Sequence, residues 1–140
     1  MIRFENAVTI NRPRAAVFAY LADFENLPRW NYAIASTRKL DPGPVAVGTR
    51  YLQARTIPTR SEETFEVTEF EPDTRVAIRG GFGPFHGDLS YVFESSGDAT
   101  VLTNAVSLNG PRLASRQIRS AVAANLEVLR QILEQSEGQA

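Results

Sequence analysis

Histidine is the side chain that titrates nearest to neutral pH and is the usual general base, and this chain has one, His86. No serine or cysteine nucleophile stands beside it. His86 is out of phase with Phe85 and Tyr91 on a predicted strand, so an unbroken strand would point its ring away from the apolar face. A bulge at Gly87 would reverse that direction. We therefore expect His86 to point outward, and a catalytic role for it requires the bulge.

Tyr51, Gln53 and Arg55 share one face of another predicted strand, and Leu52 and Ala54 share the other. If the polar face points inward, Tyr51 and Gln53 contact a ligand, and Arg55 is available for a carboxylate or an enolate. If the apolar face points inward, the interior is mainly apolar and Arg55 is a solvated surface residue. The alternation alone leaves both orientations open.

Apolar residues of one parity predict the inner face of the strand at 85–94, and they are Phe85, Leu89, Tyr91 and Phe93. We expect Phe93 to pack on a long helix. The others are candidate ligand contacts, since a buried tyrosine hydroxyl needs a partner. Phe82 lies in the glycine-rich stretch 80–84, which lacks the Lys-Ser/Thr of a phosphate-binding loop. We interpret this stretch as a flexible hairpin in which Phe82 gates a cavity mouth.

Trp30, Asn104 and Asn125 each have two interpretations. Trp30 is either a lid aromatic at the cavity wall or, as we prefer, a core residue beneath two short helices. Asn104 lies among apolar residues of the last strand, and either a ligand or the protein itself must satisfy its amide. For Asn125, near the apolar stripe of the long helix, bonding within the protein is preferred. Trp30 and Asn104 are kept as candidate ligand-binding residues.

Composition argues against several classes of function. The chain has 140 residues, no cysteine, and 15 basic against 16 acidic residues. We therefore expect no metal site, no cofactor and no nucleic-acid partner, and we interpret Glu62 and Glu63 as a solvated pair. Arg3 and Glu5 interrupt any secretory signal, and no apolar run could span a bilayer. The expected protein is cytoplasmic and is a monomer or homodimer.

A long amphipathic helix is predicted at 111–135. Its apolar stripe recurs in steps of three and four residues and consists of Ile118, Val122, Leu126, Leu129 and Leu133. Pro111 suits a first helical position, and Gly138 is a stop signal. A helix this one-sided needs a sheet to lie against.

Seven strands are predicted to supply that sheet. The first, Ile2–Ile10, precedes two short helices within residues 13–30, and six more strands follow at 33–40, 48–56, 62–70, 75–79, 85–94 and 100–108. Consecutive strands with short turns pair antiparallel, and the first strand can join the sheet edge. The predicted fold class is α+β in a single domain, with the long helix on the concave face of the sheet.

Short motifs follow one another along nearly the whole chain: VTI at 8–10, LADFENLPRW at 21–30, VGTR at 47–50, FEVTEFEP at 65–72, YVFE at 91–94 and NLEVL at 125–129. In this order they resemble the START-like (SRPBCC) superfamily, and within it the bacterial polyketide cyclase/dehydrase-like proteins. The resemblance implies the helix-grip fold, a curved seven-stranded antiparallel sheet around a C-terminal helix with a cavity between them. It implies no single activity, because members bind very different ligands and many catalyse nothing.

Three hypotheses follow. The first is a binding module that holds a small hydrophobic or aromatic molecule between the sheet and the long helix. The second is an enzyme resembling the polyketide cyclases or dehydratases, in which Tyr51, Arg55 or His86 polarises a carbonyl or moves a proton. The third is an interaction protein resembling START-like co-chaperones or toxin–antitoxin partners. It would require an exposed apolar patch beyond the cavity mouth, and the sequence indicates none.

Overall fold

The computed structural model describes residues 1–137. Seven strands form one antiparallel sheet in the order β1-β7-β6-β5-β4-β3-β2. The strands are β1 (Ile2–Ile10), β2 (Ile34–Lys39), β3 (Arg50–Arg55), β4 (Ser61–Glu71), β5 (Arg75–Phe82), β6 (Phe85–Ser96) and β7 (Ala99–Leu108). The predicted α+β class is confirmed, and the first strand lies at the sheet edge beside the last.

Helical segments lie at both ends of the sheet sequence. They are α1 (Arg14–Ala22), a 3-10 turn (Phe24–Asn26), α2 (Leu27–Trp30), a second 3-10 turn (Arg112–Ala114) and α3 (Ser115–Glu137). The predicted start of the long helix was wrong by four residues. Pro111 is extended, with φ −74° and ψ 136°, and precedes the second 3-10 turn. Proline is as compatible with an extended position as with a first helical turn. Gly138 lies outside the described residues.

The β6–β7 hairpin sets which side chains face the concave side of the sheet. Its pairing is unshifted from Gly87–Leu108 to Ser96–Ala99. Burial along β7 therefore alternates strictly, and the buried set is Thr100, Leu102, Asn104, Val106 and Leu108. Gly97, with φ +61°, closes the turn, a backbone conformation that glycine adopts without strain.

The glycine-rich stretch 80–84 contains the predicted hairpin, but most of it is strand. Gly80 and Gly81 belong to β5, so only Gly83 and Pro84 form the turn. A Cβ on Gly80 would lie 2.3 Å from the Thr64 carbonyl oxygen. A side chain there would thus push neighbouring strands apart, and glycine permits their close approach.

Helix α3 crosses the concave face and is hydrogen-bonded to the first strand and to the residues directly after it. The Asn6 amide donates to the Arg119 carbonyl at 3.1 Å, and the Arg12 guanidinium donates to the Leu133 carbonyl at 2.9 Å. The C-terminal half of the predicted stripe is buried against the sheet and the short helices, at Leu126, Leu129 and Leu133. The N-terminal half is only partly buried, at Ile118 and Val122. A space therefore remains between this half and the sheet.

Within the described part of the chain, no helix combines the length and the apolar character that crossing a bilayer would need.

Candidate functional site

A cavity of about 380 Å³ lies between the concave face of the sheet and the N-terminal half of α3. Its sheet wall includes Phe65, Ile78, Leu89, Tyr91, Val106 and Leu108, and its helix wall includes Ile118, Ala121, Val122 and Asn125. Tyr32 and Ile57 also line it and are exposed, so they mark its mouth. The lining is predominantly apolar, as in most small-molecule sites.

An ion pair between Arg55 and Glu63 lies at the wall of the cavity. The Arg55 Nε and Nη2 atoms donate to the Glu63 carboxylate at 2.9 Å each. The side chains are 13% and 7% exposed, respectively. Our interpretation of Glu63 as a solvated residue was therefore wrong. Glu63 shares its strand face with Phe65 and Val67, and this alternation was the available signal for its burial.

Glu63 joins three segments of the chain. Besides Arg55, its carboxylate accepts a hydrogen bond from the Gln53 amide at 2.6 Å and one from the Gly83 backbone N–H at 2.9 Å. Gly83 belongs to the β5–β6 turn, and Gln53 and Arg55 belong to β3. The buried carboxylate thereby ties the turn at the cavity rim to the sheet.

The polar face of β3 points inward, which answers the question that the alternation left open. Gln53 and Arg55 both line the cavity. Gln53 is buried, and its amide oxygen accepts a hydrogen bond from Thr37 Oγ1 at 3.5 Å. Both ends of this amide are therefore engaged within the protein.

Tyr51, on the same face, lies in the core and outside the cavity lining. Its ring stacks on Phe65 with centroids 5.0 Å apart and meets Phe24 edge-on at 5.5 Å. Its buried hydroxyl has no hydrogen-bond partner among residues 1–137. Burial, with smaller contributions from Asp23 and Glu25, raises the pKa of Tyr51 to about 12. This phenol is therefore neutral near neutral pH, and Tyr51 is not among the residues that line the cavity.

Tyr91 and Asn125 are buried lining residues whose polar groups remain available to a ligand. Both line the cavity, and within the described residues neither side chain forms a hydrogen bond. Burial raises the pKa of the Tyr91 phenol well above its ordinary value. At neutral pH Tyr91 can thus donate a hydrogen bond but cannot act as a base. Our preference for a hydrogen bond from Asn125 within the protein was wrong.

The remaining apolar candidates divide between the cavity and the core. Phe82, Phe85 and Leu89 line the cavity. Trp30 does not: it is buried and lies edge-on to Tyr91, with ring centroids 6.5 Å apart. It is the core residue that we preferred, and it supports the cavity wall from behind.

Asn104 is also absent from the cavity lining. It is fully buried, and its amide nitrogen donates to the Ser90 carbonyl oxygen at 3.0 Å. Its Oδ1 atom has no partner within residues 1–137. The protein itself, and not a ligand, therefore satisfies the amide nitrogen of Asn104.

His86 is exposed on the convex side of the sheet. It pairs with Gly81 in an unshifted register that continues through Gly87, so the bulge that would turn it inward is absent from this ladder. Its backbone N–H donates to the Asn109 side chain at 2.7 Å. The imidazole is therefore not among the groups that a molecule in the cavity would meet.

Among residues 1–137, no group of three or more His, Cys, Asp or Glu side chains is arranged to hold a metal ion. The cavity as a whole offers an apolar enclosure, one neutralised ion pair and the buried polar groups of Tyr91 and Asn125. Asn31, Tyr32 and Gln117 add less buried polar groups to its lining. Such a site can bind and orient a molecule, and it can polarise a carbonyl by donating a hydrogen bond.

Several solved structures have folds similar to that of this chain. An aromatase/cyclase from Streptomyces sp. R1128, Zhui, aligns with a TM-score of 0.73 and 15% identity over 94% of this chain and 93% of its own. The di-domain aromatase/cyclase StfQ of the steffimycin biosynthetic pathway aligns with a TM-score of 0.80 and 12% identity over 98% of this chain, which matches 52% of StfQ. DR_A0006 from Deinococcus radiodurans aligns with a TM-score of 0.70 and 21% identity over 97% and 99% of the two chains. These likenesses confirm the helix-grip fold.

The sequence itself matches a family profile over residues 1–134, and the profile is described as polyketide cyclase / dehydrase and lipid transport. A comparison with proteins of curated function gives no match. The match spans nearly the whole chain, as did the motifs that predicted it. The chain belongs to the polyketide cyclase / dehydrase and lipid transport family.

Proposed function

We propose that this protein is a binding module that holds a small hydrophobic or aromatic molecule in the cavity between the sheet and α3. The observation that carries the proposal is the cavity of about 380 Å³, whose lining is apolar apart from a few polar groups. Apolar pockets with few, fixed polar groups are typical of small-molecule sites. Membership of a family described by cyclases and lipid transport also supports it.

The polar groups give the bound molecule an orientation. Tyr91 offers a phenolic O–H, and Asn125 offers an amide that can donate and accept. A ligand with an oxygen atom on an otherwise apolar skeleton matches this set. Leaving such a group unpaired on binding would cost about 1–3 kcal/mol, so these residues favour one placement of the ligand over others.

The test uses N-phenyl-1-naphthylamine, an uncharged probe whose fluorescence rises in apolar surroundings. Ala121→Phe places a ring in the cavity, and Ala124→Phe makes the same change on an exposed position of the same helix. We expect saturable binding to the natural sequence and an affinity at least about tenfold lower for Ala121→Phe. Ala124→Phe and the exposed His86→Gln should stay within about twofold. Equal affinity of the two phenylalanine variants would place the probe elsewhere and refute the proposal.

A second candidate function is a polyketide cyclase or dehydratase-like reaction, and the observation that favours it is the shared fold with the aromatase/cyclases. Of the predicted catalytic residues, only Arg55 lines the cavity, and Glu63 neutralises it. Tyr91 is then the group best suited to polarise a substrate carbonyl. In that case Tyr91→Phe should lower turnover of an aromatic polyketide substrate by more than it weakens binding, because a donor that strengthens in the transition state acts mainly on kcat.

The interaction hypothesis finds less support. The exposed large apolar residues among those described are spread along the chain from Met1 to Val128, and two of them, Tyr32 and Ile57, belong to the cavity mouth. Singly exposed apolar side chains are normal on a soluble protein and need no partner.

A further inference from the structure

The charge balance of the cavity is set by one ion pair. Of the described residues that line the cavity, Arg55 alone carries a formal charge. Its partner Glu63 is held within hydrogen-bonding distance by two atoms of the guanidinium. Both side chains are largely shielded from solvent. Water therefore screens these two charges less than it screens a surface charge. The pair leaves the cavity wall with no net charge.

We propose that Glu63 makes this cavity selective for uncharged ligands, by neutralising the one cationic side chain that a ligand would meet. This inference rests on the proposed function, because it concerns what the same cavity admits. The expected ligands are neutral, mainly apolar molecules that carry a hydrogen-bonding group, such as an alcohol, a phenol or a ketone.

A carboxylate ligand would meet two obstacles. It would have to compete with Glu63 for the Arg55 guanidinium, and it would bring a second negative charge beside the first. Two carboxylates that share one site repel each other, and an unpaired charge in an apolar enclosure is strongly disfavoured. An ammonium ligand meets the opposite problem, because Arg55, Gln53 and Gly83 already occupy the Glu63 carboxylate.

Glu63 is also too firmly held to turn away when a ligand arrives. It accepts hydrogen bonds from β3 and from the β5–β6 turn. Moving it would leave the Gly83 N–H, the Gln53 amide and the Arg55 guanidinium without their acceptor. Because unsatisfied buried donors are costly, the neutralised state of the wall is the stable one.

The experiment varies the charge of the wall and the charge of the ligand independently. The proteins are the natural sequence, Glu63→Gln, Arg55→Gln and the double variant, which restores a neutral wall without the ion pair. The ligands share one ring system: naphthalene-2-methanol, naphthalene-2-carboxylate and naphthalene-2-methylammonium. Each ligand displaces N-phenyl-1-naphthylamine at about pH 7.5, where the carboxylate and the amine are charged.

We expect the natural protein and the double variant to prefer the alcohol to both charged ligands by about tenfold or more. Glu63→Gln should raise the relative affinity for the carboxylate by at least about tenfold, because Arg55 then needs an anionic partner. Arg55→Gln should raise the relative affinity for the ammonium in the same way. Thermal unfolding of each variant shows that it is folded, and if Glu63→Gln is not, Arg55→Gln carries the test through the ammonium.

The outcomes separate this inference from the proposed function. If the uncharged probe and the alcohol both fail to bind the natural protein, the proposed function is wrong and the inference falls with it. If they bind, but the natural protein binds the carboxylate equally well, the inference alone is overturned. It is also overturned if the folded charge variants keep the ligand preference of the natural protein.

Discussion

Replacing Glu63 by alanine tests whether one carboxylate fastens the rim of the cavity to the sheet. The side chain is 7% exposed and accepts hydrogen bonds from Gln53, Arg55 and Gly83. Glu63→Ala removes the acceptor and leaves the guanidinium without its counter-ion. The neighbouring Glu62→Ala is the matched control, because Glu62 is exposed and forms no ion pair in the described structure.

The size of the effect follows from the burial of the pair. Removing one partner of a fully buried ion pair costs about 3–5 kcal/mol, because the other charge remains uncompensated. Arg55 borders a cavity that opens to solvent, so its guanidinium can regain part of its hydration. We therefore expect Glu63→Ala to lower the free energy of unfolding by about 2–4 kcal/mol. Glu62→Ala should change it by less than about 0.5 kcal/mol.

Urea unfolding, followed by far-ultraviolet circular dichroism and extrapolated to water, measures both changes. A second variant, Arg55→Ala, completes a double-mutant cycle with Glu63→Ala. We expect the two losses to be non-additive, with a coupling energy of about 1–3 kcal/mol, since each single change leaves a buried charge that the double change removes. Equal and small losses for Glu63→Ala and Glu62→Ala would refute the claim that this carboxylate anchors the rim.

Two further predictions concern the helix and the aromatic core. Leu129 is 0% exposed and Val128 is 39% exposed. In urea unfolding, Leu129→Ala should therefore lower the free energy of unfolding by about 2–5 kcal/mol, and Val128→Ala should lower it much less. Similar small losses for both variants would mean that α3 is not a core element. Tyr51 has a pKa of about 12 in the folded protein, whereas an unfolded tyrosine has a pKa near 10. This difference contributes stability that is fully present below about pH 10 and is lost as the pH rises through about 12. Tyr51→Phe removes an unpartnered hydroxyl, so it should leave stability near neutral pH unchanged or raise it by up to about 1 kcal/mol. Between pH 8 and 12, the urea midpoint of this variant should fall less steeply with pH than that of the natural protein. Equal slopes would contradict this reasoning.

Local periodicity was enough to predict the elements and some of their faces. The alternation on β6 predicted that Leu89, Tyr91 and Phe93 face inward and that His86 faces outward, and the unshifted β5–β6–β7 ladder confirms this orientation. A period of two residues survives in the folded strand unless a bulge interrupts it. The helical stripe predicted the buried Leu126 and Leu129 for the same reason, because the period of a helix depends only on its own backbone.

Periodicity did not predict which inward-facing side chains border the cavity and which lie in the core. Tyr51, Gln53 and Arg55 share one strand face, yet Tyr51 lies under Phe24 in the core while Gln53 and Arg55 border the cavity. Which part of a strand is covered by short helices depends on chain segments distant in sequence. The same holds for α3, whose stripe packs on the sheet at Leu129 and lines open space at Val122.

The family could be predicted from the ordered motifs of the sequence. The strands and the orientation of their alternating positions could be predicted from local spacing along the chain. For Glu63, the alternation with Phe65 and Val67 indicates the inward face of its strand but not the partners of its carboxylate. Those partners depend on the cross-strand register that sets Gln53 opposite Glu63. Strand pairing of this kind joins residues that are not neighbours in sequence, and the partner of a charge decides whether burying it is tolerable.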